Sequence, residues 1–290
     1  MARPKRVKPN VKAFYHMISR IANQAYFMDD KVKKKMLEIL HAAAEFSGVV
    51  VGTYMLMDNH FHLLVCVPSP EDPIPDNVVL RRVRALYGEA EARRLELRWE
   101  QMRKDGRGAG AEAEMNRFRR RMHNVSEFAK TFKQRVAQWY NASHGHVGTL
   151  WTGRFKSPLV EEGKYLATCM KYIHRNPVSA GMVKDSSEYV WGAPGAARRG
   201  DVHAQTGLAF LSAVFKRCTE EGGVSWKDIV EPSGRDLRFS NGVVIGSRRF
   251  VEAHAPDTAN RRRRWRPNHI IGDIYSSYGQ RSAPMAARIA

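Results

Sequence analysis

The chain has 290 residues, 43% hydrophobic and 10% aromatic, enough for one large domain or two small ones with real cores. Its 48 Lys and Arg outnumber 29 Asp and Glu, and the formal charge of +19 favours polyanionic partners through counterion release. No apolar run reaches the roughly 20 residues of a membrane-spanning helix, MARPKRVKPN lacks a signal peptide's apolar segment, and Cys66, Cys169 and Cys218 suit neither a disulfide framework nor a paired zinc motif. The expectation is a cytoplasmic, nucleic-acid-associated protein without membrane contact, its cysteines serving as small apolar core residues.

Residues 12–28 begin with the alternation of a first strand. Asp29 and Asp30 can then cap a helix running to about Phe46, with Val32, Met36, Ile39, Leu40 and Ala43 on one stripe and Gly48 past its end. Residues 49–67, VVVGTYMLMDNHFHLLVCV, read as an antiparallel hairpin turning at Asp58 and Asn59, stopped by Pro68, Pro70, Pro73 and Pro75. From Val78 to Met122 an Arg/Glu/Ala composition with the soft break KDGRGAGAEA predicts two charged helices about a joint. Ser126 is a candidate cap for a helix over 127–143, with Phe128, Phe132, Val136, Trp139 and Tyr140 as its packing stripe. Residues 149–160 read as extended, and EEGKYLATCMKYIHRN as a helix that Pro177 ends. Beyond about Trp191 the pattern weakens, and the tail from Asp257, with four successive arginines, is expected to be flexible.

Two motifs carry chemistry. His60 and His62 flank Phe61 in a strand, so both imidazoles share one face while Phe61, Leu63 and Val65 take the other. That spacing builds half of a metal site, although two structural polar residues would satisfy it equally. Tyr172 and Asn176, four residues apart, share a helix face, where the bland reading is a packing tyrosine and a helix-terminating Asn-Pro. Tyr165, His16, His174, His144 and His146 are read as packing or surface residues rather than ligands.

Together, MDNHFHLLV at 57–65, the helix SEFAKTFKQRVAQWY, LWTGRFKSPLV and KYIHRNPVSAGMV at 171–183 resemble the HUH single-tyrosine transposases, most closely the REP-associated tyrosine transposases acting on bacterial palindromic repeats. The resemblance runs over roughly 12–195 and implies an α+β, ferredoxin-like sandwich, with a mainly antiparallel sheet, helices packed on it, and a charged helical insertion. It implies a catalytic domain over 1–195 with a basic insertion at 78–122, and a C-terminal extension over 196–290. By the same resemblance Tyr172 is the nucleophile and His60, His62 and Asn176 hold a divalent metal, Mg²⁺ or Mn²⁺. The implied reaction cleaves and rejoins single-stranded DNA beside hairpins through a 5′-phosphotyrosine bond, in a bacterial, nucleoid-associated monomer or homodimer. A rival expectation is a catalytically inactive, hairpin-binding regulator, and a third is a metallohydrolase using metal-bound water. Arg81, Arg82, Arg84, Arg119, Arg120, Arg121, Arg154, Lys156, and Arg261, Arg262, Arg263, Arg264 with Trp265 are the candidate DNA contacts.

Overall fold

The computed structural model describes residues 6–22, 28–220, 239 and 242–254, with the backbone of a further strand at 275–278. The candidate contacts Arg261 to Arg264 and Trp265, and the tail from Asp257, lie outside the described side chains.

Strand β1 (Ala13–Arg20) leads into α1 (Asp30–Ser47), and β2 (Val50–Leu56) and β3 (His60–Val67) form the expected hairpin. The cap assignments for α1 hold. Asp29 accepts from the Val32 amide at 2.8 Å, and Gly48 closes the helix at φ 64°, a left-handed geometry that glycine adopts without strain.

Three helices follow rather than two: α2 (Asp76–Tyr87), α3 (Glu89–Lys104) and α4 (Gly108–Arg119). Gly88, at φ 89°, splits the first predicted helix in a single residue. These helices bury Val79, Val83, Leu95, Trp99 and Met115 with Phe46 at the end of α1, making a small core of their own.

Helix α5 (Val125–His144) is capped by Asn124, not Ser126. The Asn124 oxygen accepts from the Ser126 and Glu127 amides at 3.0 and 3.4 Å, so the cap lies two residues before the expected one. After β4 (Leu159–Val160), α6 (Lys164–Ser179) runs through Pro177 instead of ending before it. The extension supplies α7 (Ala193–Arg198), α8 (Val202–Glu220), β5 (Gly242–Gly246), α9 (Arg248–His254) and β6 (Tyr275–Tyr278).

The sheet order is β2-β3-β1-β4-β5-β6, antiparallel throughout except where β4 meets β5. The α+β fold is therefore as expected. Its first part, β1-α1-β2-β3-α5-β4 with sheet order β2-β3-β1-β4, has the ferredoxin-like arrangement.

Both sheet faces are covered, which explains why β1 and β3 are buried almost end to end. Tyr15, Met17, Phe61, Leu63 and Val65 face α1 and α5. Phe14, Leu64 and Cys66 face α6 and α8 with Leu166, Ile173 and Leu211. No disulfide joins the three cysteines, and Cys66 and Cys169 are buried as expected of small core residues. Among the described residues no helix is long and apolar enough to cross a membrane.

Candidate active site

The register of the sheet assembles the site. Arg20 pairs with His60 and Ile18 with His62 across β1 and β3, while Ile18 also bridges Lys156 on its other side. Cross-strand partners share a face. Lys156, Ile18 and His62 thus form one row, with Arg20 and His60 in the next. His16 shares their parity on β1, so all of these lie on the α6 side of the sheet.

The imidazoles hold one another in defined tautomers. His16 is fully buried, with Nδ1 2.8 Å from the Phe239 carbonyl and Nε2 2.8 Å from His62 Nδ1. A carbonyl can only accept, so neutral His16 donates from Nδ1 and accepts at Nε2. His62 must then carry its proton on Nδ1, leaving Nε2 as a bare lone pair. That atom is buried and has no hydrogen-bond partner among the described residues. His60 behaves alike: its Nδ1 lies 2.7 Å from Asn59 Oδ1, so its Nε2 is the unprotonated nitrogen.

Burial keeps the three rings neutral. It pushes the His16 pKa down to about 3, against the opposing pull of the Phe239 carbonyl. His60 is lowered to about 4, first by burial and then by Arg20, with the Asn176 oxygen and Asp58 pulling the other way. His62 lies well below its ordinary value, chiefly through burial and then through His16, His60 and Arg20.

Asn176 reaches the same point from α6 for a reason written into the Asn-Pro pair. Pro177 has no N–H to give the Ile173 carbonyl four residues back, and a proline within a helix ordinarily breaks it. The Asn176 side-chain amide supplies the missing donors, bonding the carbonyls of Tyr172 at 2.9 Å and Ile173 at 3.3 Å. With its NH₂ turned back to the helix, Oδ1 faces His60 and His62, whose protonated forms it favours. Two imidazole lone pairs and an amide oxygen therefore face one another with no proton between them.

Tyr172, one turn earlier on α6, completes the cluster. Its ring centre is 5.8 Å from those of both His62 and His16, edge to face. Its other face stacks on Phe239 at 4.9 Å, and 9% of the residue is exposed.

Residues 10–105 match the family model described as transposase IS200 like. The match spans β1 to α3, and so holds His16, His60 and His62 but ends before Tyr172 and Asn176. No curated protein matches the chain. Among solved structures, it is similar to one titled "Structure of the REP associates tyrosine transposase bound to a REP hairpin", at 14% identity and a TM-score of 0.37. That similarity covers 67% of this chain and 82% of the other.

The structure brings together Tyr172, His60, His62 and Asn176, from elements more than a hundred residues apart. It disperses most of the candidate DNA contacts. Arg81 pairs with Glu45 at 3.5 Å, and Arg84 pairs with Glu89. Arg82 bonds His123 at 3.2 Å. Arg119 ties Asp76, Glu112 and the Ile74 carbonyl together, and Arg121 stacks on Phe46 while bonding the Tyr87 hydroxyl at 2.6 Å. These five arginines clasp the α2–α4 unit to α1 and to itself, because like-charged helices need such partners to pack. Arg120 is exposed on the same unit. Arg154 is exposed in the loop between Trp151, which bridges Ile21 just past β1, and Lys156, which bridges Ile18 within it, so it lies near the end of the strand that carries Arg20.

Sequence reasoning missed two members of this cluster. Arg20 adds positive charge beside both histidines, and His16 was read as packing. The parity of AFYHMISR placed both on one face, but only the β1–β3 register shows that this face is the one bearing His60 and His62.

Proposed function

We propose that this protein is a metal-dependent, single-tyrosine DNA endonuclease and strand transferase, acting on single-stranded DNA beside hairpins such as palindromic repeats. One observation carries the reading: a tyrosine lies edge-on to a histidine whose buried Nε2 has no hydrogen-bond partner among the described residues, with a second imidazole and an amide oxygen around the same point. The family match over 10–105 supports a transposase, and the net charge of +19 supports a nucleic acid partner.

The donor set of two imidazoles and one amide oxygen fits Mn²⁺, or Mg²⁺ completed by water, better than zinc, which prefers thiolates or a third imidazole. Bound there, a divalent cation polarises a nonbridging phosphate oxygen and stabilises the charge that builds during attack. His60, His62 and Asn176 would hold it, while Arg20 and Lys156, in adjacent rows of the same sheet face, take neighbouring phosphates.

Tyr172 then forms a bond from its phenolic oxygen to phosphorus as the bond to the 3′ oxygen of the departing strand breaks. The phenol loses one proton and the leaving 3′ oxygen gains one, so a 5′-phosphotyrosine and a free 3′-hydroxyl result without ATP. The bond energy is conserved for rejoining. Placement of all four groups in one chain supports a site complete within a monomer.

The second reading, a hairpin-binding regulator that does not cut, draws on the Phe239 ring lying over a Tyr172 only 9% exposed. End-labelled single-stranded hairpin DNA incubated with Mg²⁺ or Mn²⁺ separates them. The nuclease reading requires cleavage by wild type that chelator abolishes. Binding without cleavage by wild type and by Phe239→Ala, over varied hairpins, would favour the regulator. Cleavage retained by Tyr172→Phe would instead indicate attack by metal-bound water.

A further inference from the structure

His16 is the most deeply buried charge-capable group in the site, yet it is not among the groups that would hold the cation or attack DNA. Any buried imidazole needs partners for its ring nitrogens. What marks His16 is which partners it has: a backbone carbonyl at 2.8 Å that fixes its tautomer and, also at 2.8 Å, the imidazole of His62.

We infer that His16 is a positioning residue: anchored by the Phe239 carbonyl, it fixes His62 as the Nδ1–H tautomer and so keeps the His62 Nε2 lone pair turned to a divalent cation. This rests on the metal-dependent reading proposed above. The direction of every bond follows from the carbonyl at one end. Phe239 can only accept, His16 therefore donates to it from Nδ1 and accepts at Nε2, and His62 donates from Nδ1.

Were His62 to take the other tautomer, its Nε2–H would occupy the place of the cation, and two ring nitrogens without a proton would face each other at 2.8 Å. The near-parallel rings of His16 and His62, inclined at 18° with centres 5.1 Å apart, keep the second imidazole from turning away. Outer partners of this kind fix the orientation and tautomer of a ligating histidine, and their loss typically costs about 10–100-fold in metal affinity.

The anchor also gives the C-terminal extension a part in the site. Phe239 lies more than a hundred residues beyond the family-matched segment, yet its carbonyl begins the chain of bonds and its ring covers Tyr172. Sequence from outside the matched module thus sets the state of a histidine within it.

The test uses the full-length protein in two steps. ¹⁵N-detected imidazole spectra of the cation-free wild type are expected to show His62 protonated at Nδ1 only. A His62 proton at Nε2 overturns the inference without any variant. Mn²⁺ binding by calorimetry is then compared for wild type, His16→Phe and His16→Gln, each first checked for cooperative unfolding. His16→Phe keeps the bulk and removes both nitrogens. It is expected to bind Mn²⁺ about 10–100-fold more weakly, and His16→Gln, which retains an acceptor for the His62 Nδ1–H, to recover much of that loss. Equal affinity of wild type and His16→Phe overturns the inference, as does a wild type that binds no Mn²⁺. Should His16→Phe fail to fold, the wild-type spectrum and the His16→Gln affinity decide it. Neither readout depends on DNA cleavage, so an inactive protein that passes both would remove the nuclease reading and leave the role of His16 standing.

Discussion

Replacing Asn176 with alanine separates its duty to the fold from the one proposed for it toward a cation. The fold loses a good hydrogen bond to the Tyr172 carbonyl and a longer one to the Ile173 carbonyl, which Pro177 cannot replace. That costs about 1–2 kcal/mol, with α6 otherwise retained. The cation loses a neutral oxygen ligand, and we put the weakening at no less than that for a lost outer partner, about 10–100-fold. Urea unfolding with and without Mn²⁺ reads both at once, since a ligand bound only by the folded state stabilises it by RT ln(1 + [L]/Kd). With Mn²⁺ fixed at a hundred times the wild-type Kd, wild type should gain about 2.7 kcal/mol and Asn176→Ala only about 0.4–1.4. Asn176→Asp should fall below wild type without metal, because its carboxylate confronts the two helix carbonyls, yet gain at least as much from Mn²⁺ as wild type does. An undiminished Mn²⁺ gain in Asn176→Ala would refute the ligand assignment, leaving Asn176 a helix-repair residue alone.

Other consequences follow from the same geometry. His174 bonds the Thr53 hydroxyl oxygen at 2.8 Å, and burial lowers its pKa from 6.5 to about 4. A depressed folded-state pKa means that its contribution is complete above 6.5 and lost as pH falls from 6.5 toward 4. Between pH 7.5 and 5.5 it should remove about 1 kcal/mol of stability, a loss that denaturant titration should find missing in His174→Gln. Arg20→Ala and Lys156→Ala should each weaken single-stranded DNA binding and reduce the slope of log K against log salt by about 0.7, measured by fluorescence anisotropy; unchanged slopes would place both residues off the DNA path. Arg81→Ala, from an exposed pair with Glu45, should leave that slope unchanged and shift stability by at most about 1 kcal/mol. Phe61→Ala should cost about 3–5 kcal/mol, because Phe61 is wholly buried against Phe132 and Trp151 at 5.4 and 5.7 Å, and a loss under 1 kcal/mol by urea unfolding would contradict that packing.

How far the sequence was legible depends on the range of the forces involved. Local rules found α1 with both caps and the β2–β3 hairpin with its turn, because Asp29, Gly48 and Asp58-Asn59 act within a few residues. They failed where two local signals competed. Ser126 and Asn124 are both good caps, and the helix starts from the earlier one, Asn124, which takes the Ser126 and Glu127 amides. Pro177 carries a stop signal that the adjacent Asn176 side chain overrides by donating where the proline cannot.

The shared face of His60 and His62 was legible as a period of two, and that of Tyr172 with Asn176 as a period of four. His16, Arg20 and Phe239 were not, since their places depend on strand register and on a carbonyl 223 positions away in sequence from His16. The partners of the arginine runs were hidden for a related reason. Composition reports charge but not partners, and Arg119 is spent on Asp76 and Glu112 inside the insertion.

The most direct test of the account is a covalent-adduct measurement. Full-length protein is mixed with single-stranded hairpin DNA and Mn²⁺ or Mg²⁺, denatured, and its intact mass recorded for wild type and Tyr172→Phe. The account predicts a species heavier by the 5′-phosphorylated DNA fragment in wild type only, mapping by peptide mass to Tyr172. Cleaved DNA with no adduct on wild type, or an adduct that persists in Tyr172→Phe, would contradict it.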